Sequence, residues 1–184
     1  ALLAVAQTLL VRLTLDHESN RAQDKAESVA SAVAAEMRRA TQRAVQAAQS
    51  LTWNDPPLAQ WHYDAAEMLK QRREMLRLEW RDTALKPQDA LDSPLEGALF
   101  AQMRRSDQEV EMQAACALAL RTSSPVLSRS YFVPQQAGHG LEVLDLCIPS
   151  QVQGALKGYV VATLSLPLLL ESAVQTVRVN EHEI

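Results

Sequence analysis

The sequence predicts an α+β fold in which a long N-terminal helix packs on a five-stranded antiparallel sheet. Three observations carry this reading. The five glycines begin at Gly97 and the eight prolines at Pro56, so the first 55 residues hold no helix breaker. Alternating apolar and polar runs joined by short Gly/Pro loops close the chain, as antiparallel hairpins do. Helical and strand patterns are segregated rather than interleaved as in a parallel α/β sheet.

Over residues 18–51 a helical stripe runs through Ala22, Ala26, Val29, Val33, Met37, Ala40, Ala44 and Ala48. Its small side chains let a partner approach closely. Its period of about 3.7 is nearer an 11-residue repeat than a heptad. A helix over 10–51 spans roughly 60 Å, more than a small domain needs, so residues 1–52 read as a rod. Ala1–Leu10 is apolar but too short to cross a bilayer. It is either the outer end of a transmembrane helix or a helix start that packs on a core or partner.

Trp53–Pro57 ends the rod, and Asp55 is expected to cap a second helix running from Pro56 to about Met75. Its Lys70–Arg73 turn reads as a solvated face. Leu76–Asp82 alternates as a strand, and residues 83–94 form a loop with a weak second strand. Short helices are expected at 95–104 and 106–120, the second opened by a capping box of Ser106 and Glu109. Strands at Val126–Val133, Leu141–Ile148 and Ala155–Leu166 follow, then a helix from Pro167 to about Val177. The alternating tail after Val177 reads as the start of another strand.

The 184 residues are 47% hydrophobic and 22% charged with net charge −4, which excludes wholesale disorder. No basic block supplies the footprint of a nucleic-acid binder. His17, His62, His139 and His182 are scattered and make no metal-ligand spacing. GxSxG, P-loop and GxGxxG patterns are absent, so no cofactor and no catalytic residue is expected. Cys116 and Cys147, both in apolar settings, read as buried free thiols or as one disulfide in an oxidising compartment.

After Met75 the order β-β-α-α-β-β-β resembles a PAS-type sheet. The segments carrying the likeness are "LRLEWRD", "SDQEVEMQAACALA" before "PVLSRSYF", and "LKGYVVATLSLPLLLESAV", a Gly-led apolar strand entering a helix at Leu-Pro-Leu-Leu-Leu. With the long helix ahead of it, the chain resembles the Cache-type, PAS-like extracytoplasmic sensor domains of bacterial receptors. The resemblance implies a sensor domain over 53–178 and a following segment beginning at 179–184. It implies a periplasmic domain anchored in the inner membrane by a flanking transmembrane helix. It also implies a small-molecule ligand, a carboxylate among the candidates, whose binding is passed through the long helix to a histidine kinase. A chemoreceptor, a cyclase, or a ligand-free structural module with a homodimer through the N-terminal helix are the alternatives.

Strand alternation sorts two sheet faces. Glu142, Leu144, Leu146 and Ile148 share one with Gly158, Val160, Ala162, Leu164 and Leu166, on which the long helix is expected to pack. The other carries Leu141, Val143, Asp145 and Cys147 with Lys157, Tyr159, Val161, Thr163 and Ser165, the mixed lining of a small-ligand pocket. In the third strand either Arg129 and Tyr131, or Ser128 and Ser130, join that face. Arg129 offers a fork for a carboxylate, Tyr131 and Tyr159 directional hydroxyls. Asp145 and Lys157 supply charge, with Trp80 and Arg121 at the border. Asp145 has a simpler use, pairing across strands with Arg129 or Lys157.

Overall fold

A computed structural model describes residues 2–135 and 138–182, with side chains over 18–135 and 138–179. Helix α1 runs unbroken from Leu2 to Ser50, as its lack of breakers requires. Ala40, Ala44 and Ala48 on its stripe are buried against the sheet, while Val29, Val33 and Met37 are half-buried. Among the described residues no helix is long and apolar enough to cross a membrane.

The turn after α1 corrects one expectation. Asn54 and Asp55 take left-handed backbone, φ 62° and 47°, which their short polar side chains tolerate. Asp55 therefore caps nothing, and α2 (Leu58–Gln71) starts after Pro57 without a side-chain cap. Strands β1 (Met75–Arg81) and β2 (Pro87–Asp92) form where expected. The helix expected at 95–104 is absent. The capping box does not form either. Ser106 Oγ donates to its neighbour Asp107, Glu109 reaches Arg81 instead, and the chain makes a 3₁₀ turn (Arg105–Gln108) before α3 (Val110–Thr122).

The expected third strand is split in two, β3 (Val126–Leu127) and β4 (Tyr131–Pro134), so the sheet has six strands rather than five. Val126 pairs with Cys147 and Tyr131 with Val143, so β3–β4 spends one residue more than its partner over this stretch. That extra residue is a bulge, and it settles the register in favour of neither alternative. Tyr131 lies on the face of Val143, while the Ser128 N–H donates to the Asp145 carbonyl and the Ser128 hydroxyl oxygen accepts from the Asp145 N–H.

Strands β5 (Gly140–Val152) and β6 (Ala155–Ser165) form the central hairpin, turned by Gln153 and Gly154 at φ 51° and 81°. Both positive angles match the twist of the strands they join. The sheet order is β2-β1-β6-β5-β3, with β4 also on β5, all pairs antiparallel. Gly158 sits where β6 approaches β1, and a Cβ there would collide with the Arg81 carbonyl. Helix α4 (Leu166–His182) follows, so the tail expected as a strand from Val177 is helical through His182; Glu183 and Ile184 lie outside the described residues. Leu169 and Ala173 of α4 are buried, and α4 packs along α1.

The two faces then differ in kind. Leu144, Leu146, Ile148, Val160, Ala162 and Leu164, with Leu78 and Trp80, pack under α1 and α2 in one apolar core that includes Trp61 and Leu69. This is the face the alternation assigns to the long helix. The opposite face lies beneath α3 and the irregular segment 93–109.

Candidate functional site

On that opposite face alternation in β1 places Arg77, Glu79 and Arg81 side by side, pointing away from α1. Glu79 is fully buried and accepts three guanidinium bonds: from Arg77 Nε at 2.6 Å, Arg81 Nε at 2.6 Å and Arg105 Nε at 3.1 Å. Arg77 reaches on to Asp92 at 2.9 Å, and Arg81 to Glu109 at 2.9 Å and the Leu85 carbonyl at 2.7 Å.

Asp145 of β5 is the second buried acid. It accepts from Thr163 Oγ1 at 2.7 Å and from the Tyr131 hydroxyl at 2.8 Å. Arg105 Nη2 stands 3.1 Å from Asp145 Oδ2, and its Nη1 donates to Tyr131 Oη at 2.7 Å. Nη2 is buried and its N–H bonds are not aimed at an acceptor, so that contact is an ion pair without an aligned hydrogen bond. The Phe100 ring lies under both Arg105 and Arg77, at 5.0 and 5.7 Å from its centroid.

Burial pushes the Glu79 carboxyl up, but Arg105, Arg81 and Arg77 outweigh it and hold the pKa below the ordinary value. At Asp145 burial wins over Arg105, Thr163 and Tyr131, and its pKa is raised. Burial and the Asp145 charge keep the Tyr131 phenol protonated well beyond its ordinary range. Burial disfavours the Arg105 charge, yet Asp145 and Glu79 more than offset this. The cluster therefore keeps Glu79 as a buried anion and Asp145 as an acid whose burial favours its proton, in a low-dielectric setting where each depends on its partners.

Of the residues expected at a ligand site, three reach this face. Tyr131 and Asp145 are bonded to each other, and Tyr159 lies at the other end beside the disulfide, among Met112, Cys116 and Val161. Trp80 belongs to the opposite face, packed on Trp61 with ring centroids 6.2 Å apart. Arg121 at the end of α3 is exposed. Arg129 is exposed because the bulge turns it off the face, and Lys157 is exposed at a register shift between Ser150 and Gln151. Asp145 pairs with neither; its ion partner is Arg105. Sequence reading missed Arg77, Glu79, Arg81 and Arg105, though three charged residues alternating within β1 share the parity of one face.

Cys116 and Cys147 form a disulfide with Cα atoms 5.2 Å apart, which corrects the free-thiol alternative. It ties α3 to β5 and closes one end of the charged face. Open clefts of about 240, 380 and 410 Å³ surround Gln71–Glu74, where α1, α2 and α4 meet, away from that face. Among the described residues no group of three or more His, Cys, Asp or Glu could hold a metal ion.

No known sequence-family profile matches the chain, and no curated protein matches it. Solved structures do. The chain is similar to the extracellular domain of a histidine kinase, at TM-score 0.62 and 11% identity over 79% of this chain and 59% of that one. It is similar to a methyl-accepting chemotaxis protein, at TM-score 0.58 and 14% identity over 84% and 65%. It is also similar to the ligand-binding domain of the Pseudomonas aeruginosa amino acid chemoreceptor PctB, solved with L-Arg, at TM-score 0.52 and 15% identity over 82% and 60%. The chain thus spans about three fifths of the length of these structures. Its fold is that of the extracellular, ligand-binding sensor domains of histidine kinases and chemoreceptors.

Proposed function

We propose that this chain is a periplasmic ligand-sensing domain of a membrane-bound receptor, a two-component histidine kinase, with no reaction of its own. The observation that carries the reading is the buried charged cluster centred on Glu79, Arg105 and Asp145. It lies on the sheet face away from α1, covered by the irregular segment 93–109. A small metabolite bound there would shift β5 and β6, whose other face packs on α1. The signal would leave through α1 and α4. For this to work the ligand must bind two helix arrangements with different affinity. The disulfide supports an oxidising compartment. A transmembrane helix flanking α1, the division at residues 53 and 178, and a homodimer through α1 are parts of the proposal.

The expected carboxylate loses its first support, since Arg129 and Lys157 are exposed and the arginines of the charged face already hold acids of the chain itself. That self-pairing favours one second reading, a ligand-free structural module. A thermal-shift screen over amino acids, amines and carboxylates separates the two. A ligand at a hundredfold excess over its Kd is expected to stabilise by about 2.7 kcal/mol. The sensor reading fails if no compound class shifts the wild-type chain.

A further inference from the structure

Arg105, like Glu109, joins the cluster from neither the sheet nor a regular helix. Its 3₁₀ turn buries no residue. The turn is tethered upstream by Leu99, by Phe100 beneath the two arginines, and by the Gln135 Nε2 bond to the Leu99 carbonyl at 3.2 Å. From residue 101 to 109, Met103 alone packs on a core cluster. Few buried apolar contacts and ion-pair anchoring mark a segment that opens at lower cost than the sheet.

We propose that Arg105 is a built-in occupant of the site. Segment 101–109 is a lid hinged on Leu99 and Phe100, and the space the Arg105 guanidinium fills against Asp145, Tyr131 and Glu79 takes the ammonium or guanidinium head of a small organic cation when the lid lifts. This rests on the sensor reading above.

The partners left behind name the ligand class. With Arg105 withdrawn, Glu79 keeps the Nε donors of Arg77 and Arg81. Asp145 keeps only two neutral hydroxyls, Thr163 and Tyr131, and loses the one cation that opposes the effect of burial, so it takes up a proton. A cationic head entering the vacated space restores the counter-ion that Asp145 has lost, whereas an anion finds no free donor there, since Arg77 and Arg81 stay on Glu79.

Two measurements test this. In hydrogen–deuterium exchange on the wild-type chain, amides 101–109 are expected to exchange through an opening that leaves β5 and β6 protected. Arg105→Gln should speed those amides alone. In thermal-shift titrations with ethylguanidinium chloride against matched sodium chloride, Arg105→Ala should show a saturable rise in Tm. Its half-saturating concentration should be roughly tenfold or more below that of wild type, which must first expel its own arginine. Adding Asp145→Asn should abolish the rise. Exchange of 101–109 only together with β5 and β6, or a folded Arg105→Ala chain with no rise above the salt control, overturns the proposal. If Arg105→Ala does not fold, the exchange pattern of the wild type decides alone. A lid that opens and takes the probe, beside a metabolite screen without a hit, refutes sensing and leaves the lid standing. The reverse pair of results refutes the lid and leaves sensing standing.

Discussion

The two faces of this sheet are held by opposite means. Under α1 and α2 the contacts are apolar and unspecific in direction, with small alanines at 40, 44 and 48 allowing close approach of the helix to Leu146, Ile148, Val160 and Ala162. Beneath α3 and the 93–109 segment, charges replace hydrocarbon. Burying Glu79, Arg81 and Asp145 is tolerated only because each meets an opposite charge at 2.6 to 3.1 Å. The difference teaches where tolerance lies. A core of many dispersion contacts loses stability in proportion to what is removed, whereas a charged cluster fails when one member is withdrawn.

The sharpest way to break this contrast is Glu79→Ala, which strands three arginines and is expected to cost about 3–5 kcal/mol in urea unfolding. The pH dependence follows from the same residue. Its folded pKa lies below the ordinary 4.5, so in that window the unfolded chain binds the extra proton. The contribution is present above pH 4.5 and is lost as pH falls through the lower folded value. Glu79→Gln should unfold with a flatter acid limb. An acid limb unchanged from wild type would show that Glu79 does not act as a buried anion.

Next in size is the disulfide. Replacing Cys116 and Cys147 by alanine frees a loop of 31 residues and is expected to lower stability by about 3–4 kcal/mol. Loss of ligand-induced shifts at equal occupancy would show that it also couples α3 to β5. On the apolar face Ile148→Val should cost about 0.5–1.5 kcal/mol, the graded response of a core. A loss as large as that of Glu79→Ala would erase the distinction between the faces. Smallest of all, Arg129→Ala and Lys157→Ala should stay within about 0.5 kcal/mol and leave any ligand response unchanged.

Much of the fold was legible because it rests on periodicity. The breaker-free rod, the apolar set on β5 and β6 and the strand at Met75–Arg81 all follow from spacing alone. Boundaries that depend on single backbone angles were not. Asp55 looks like a cap in sequence and is instead a left-handed turn residue, and Ser106 with Glu109 spells a capping box whose acid is claimed by Arg81. The candidate site was legible only in its sheet half, where parity places Asp145 and Tyr159 and leaves Tyr131 as one of two alternatives. One inserted residue between Leu127 and Tyr131 removed Arg129 from it, and no local pattern forecasts a bulge. Arg105 was out of reach because its role depends on a loop folding back across 26 residues to Glu79 and to Tyr131.

The length of α1 carries a mechanical consequence. Val29, the first residue of its stripe to be half-buried, is 27 residues from Leu2, so about 40 Å of continuous helix extends past the packed part. A lever of that length converts a tilt of about 3° at the sheet into roughly 2 Å at Leu2. Displacements too small to disturb a single hydrogen bond beside Leu146 are thus magnified along the rod.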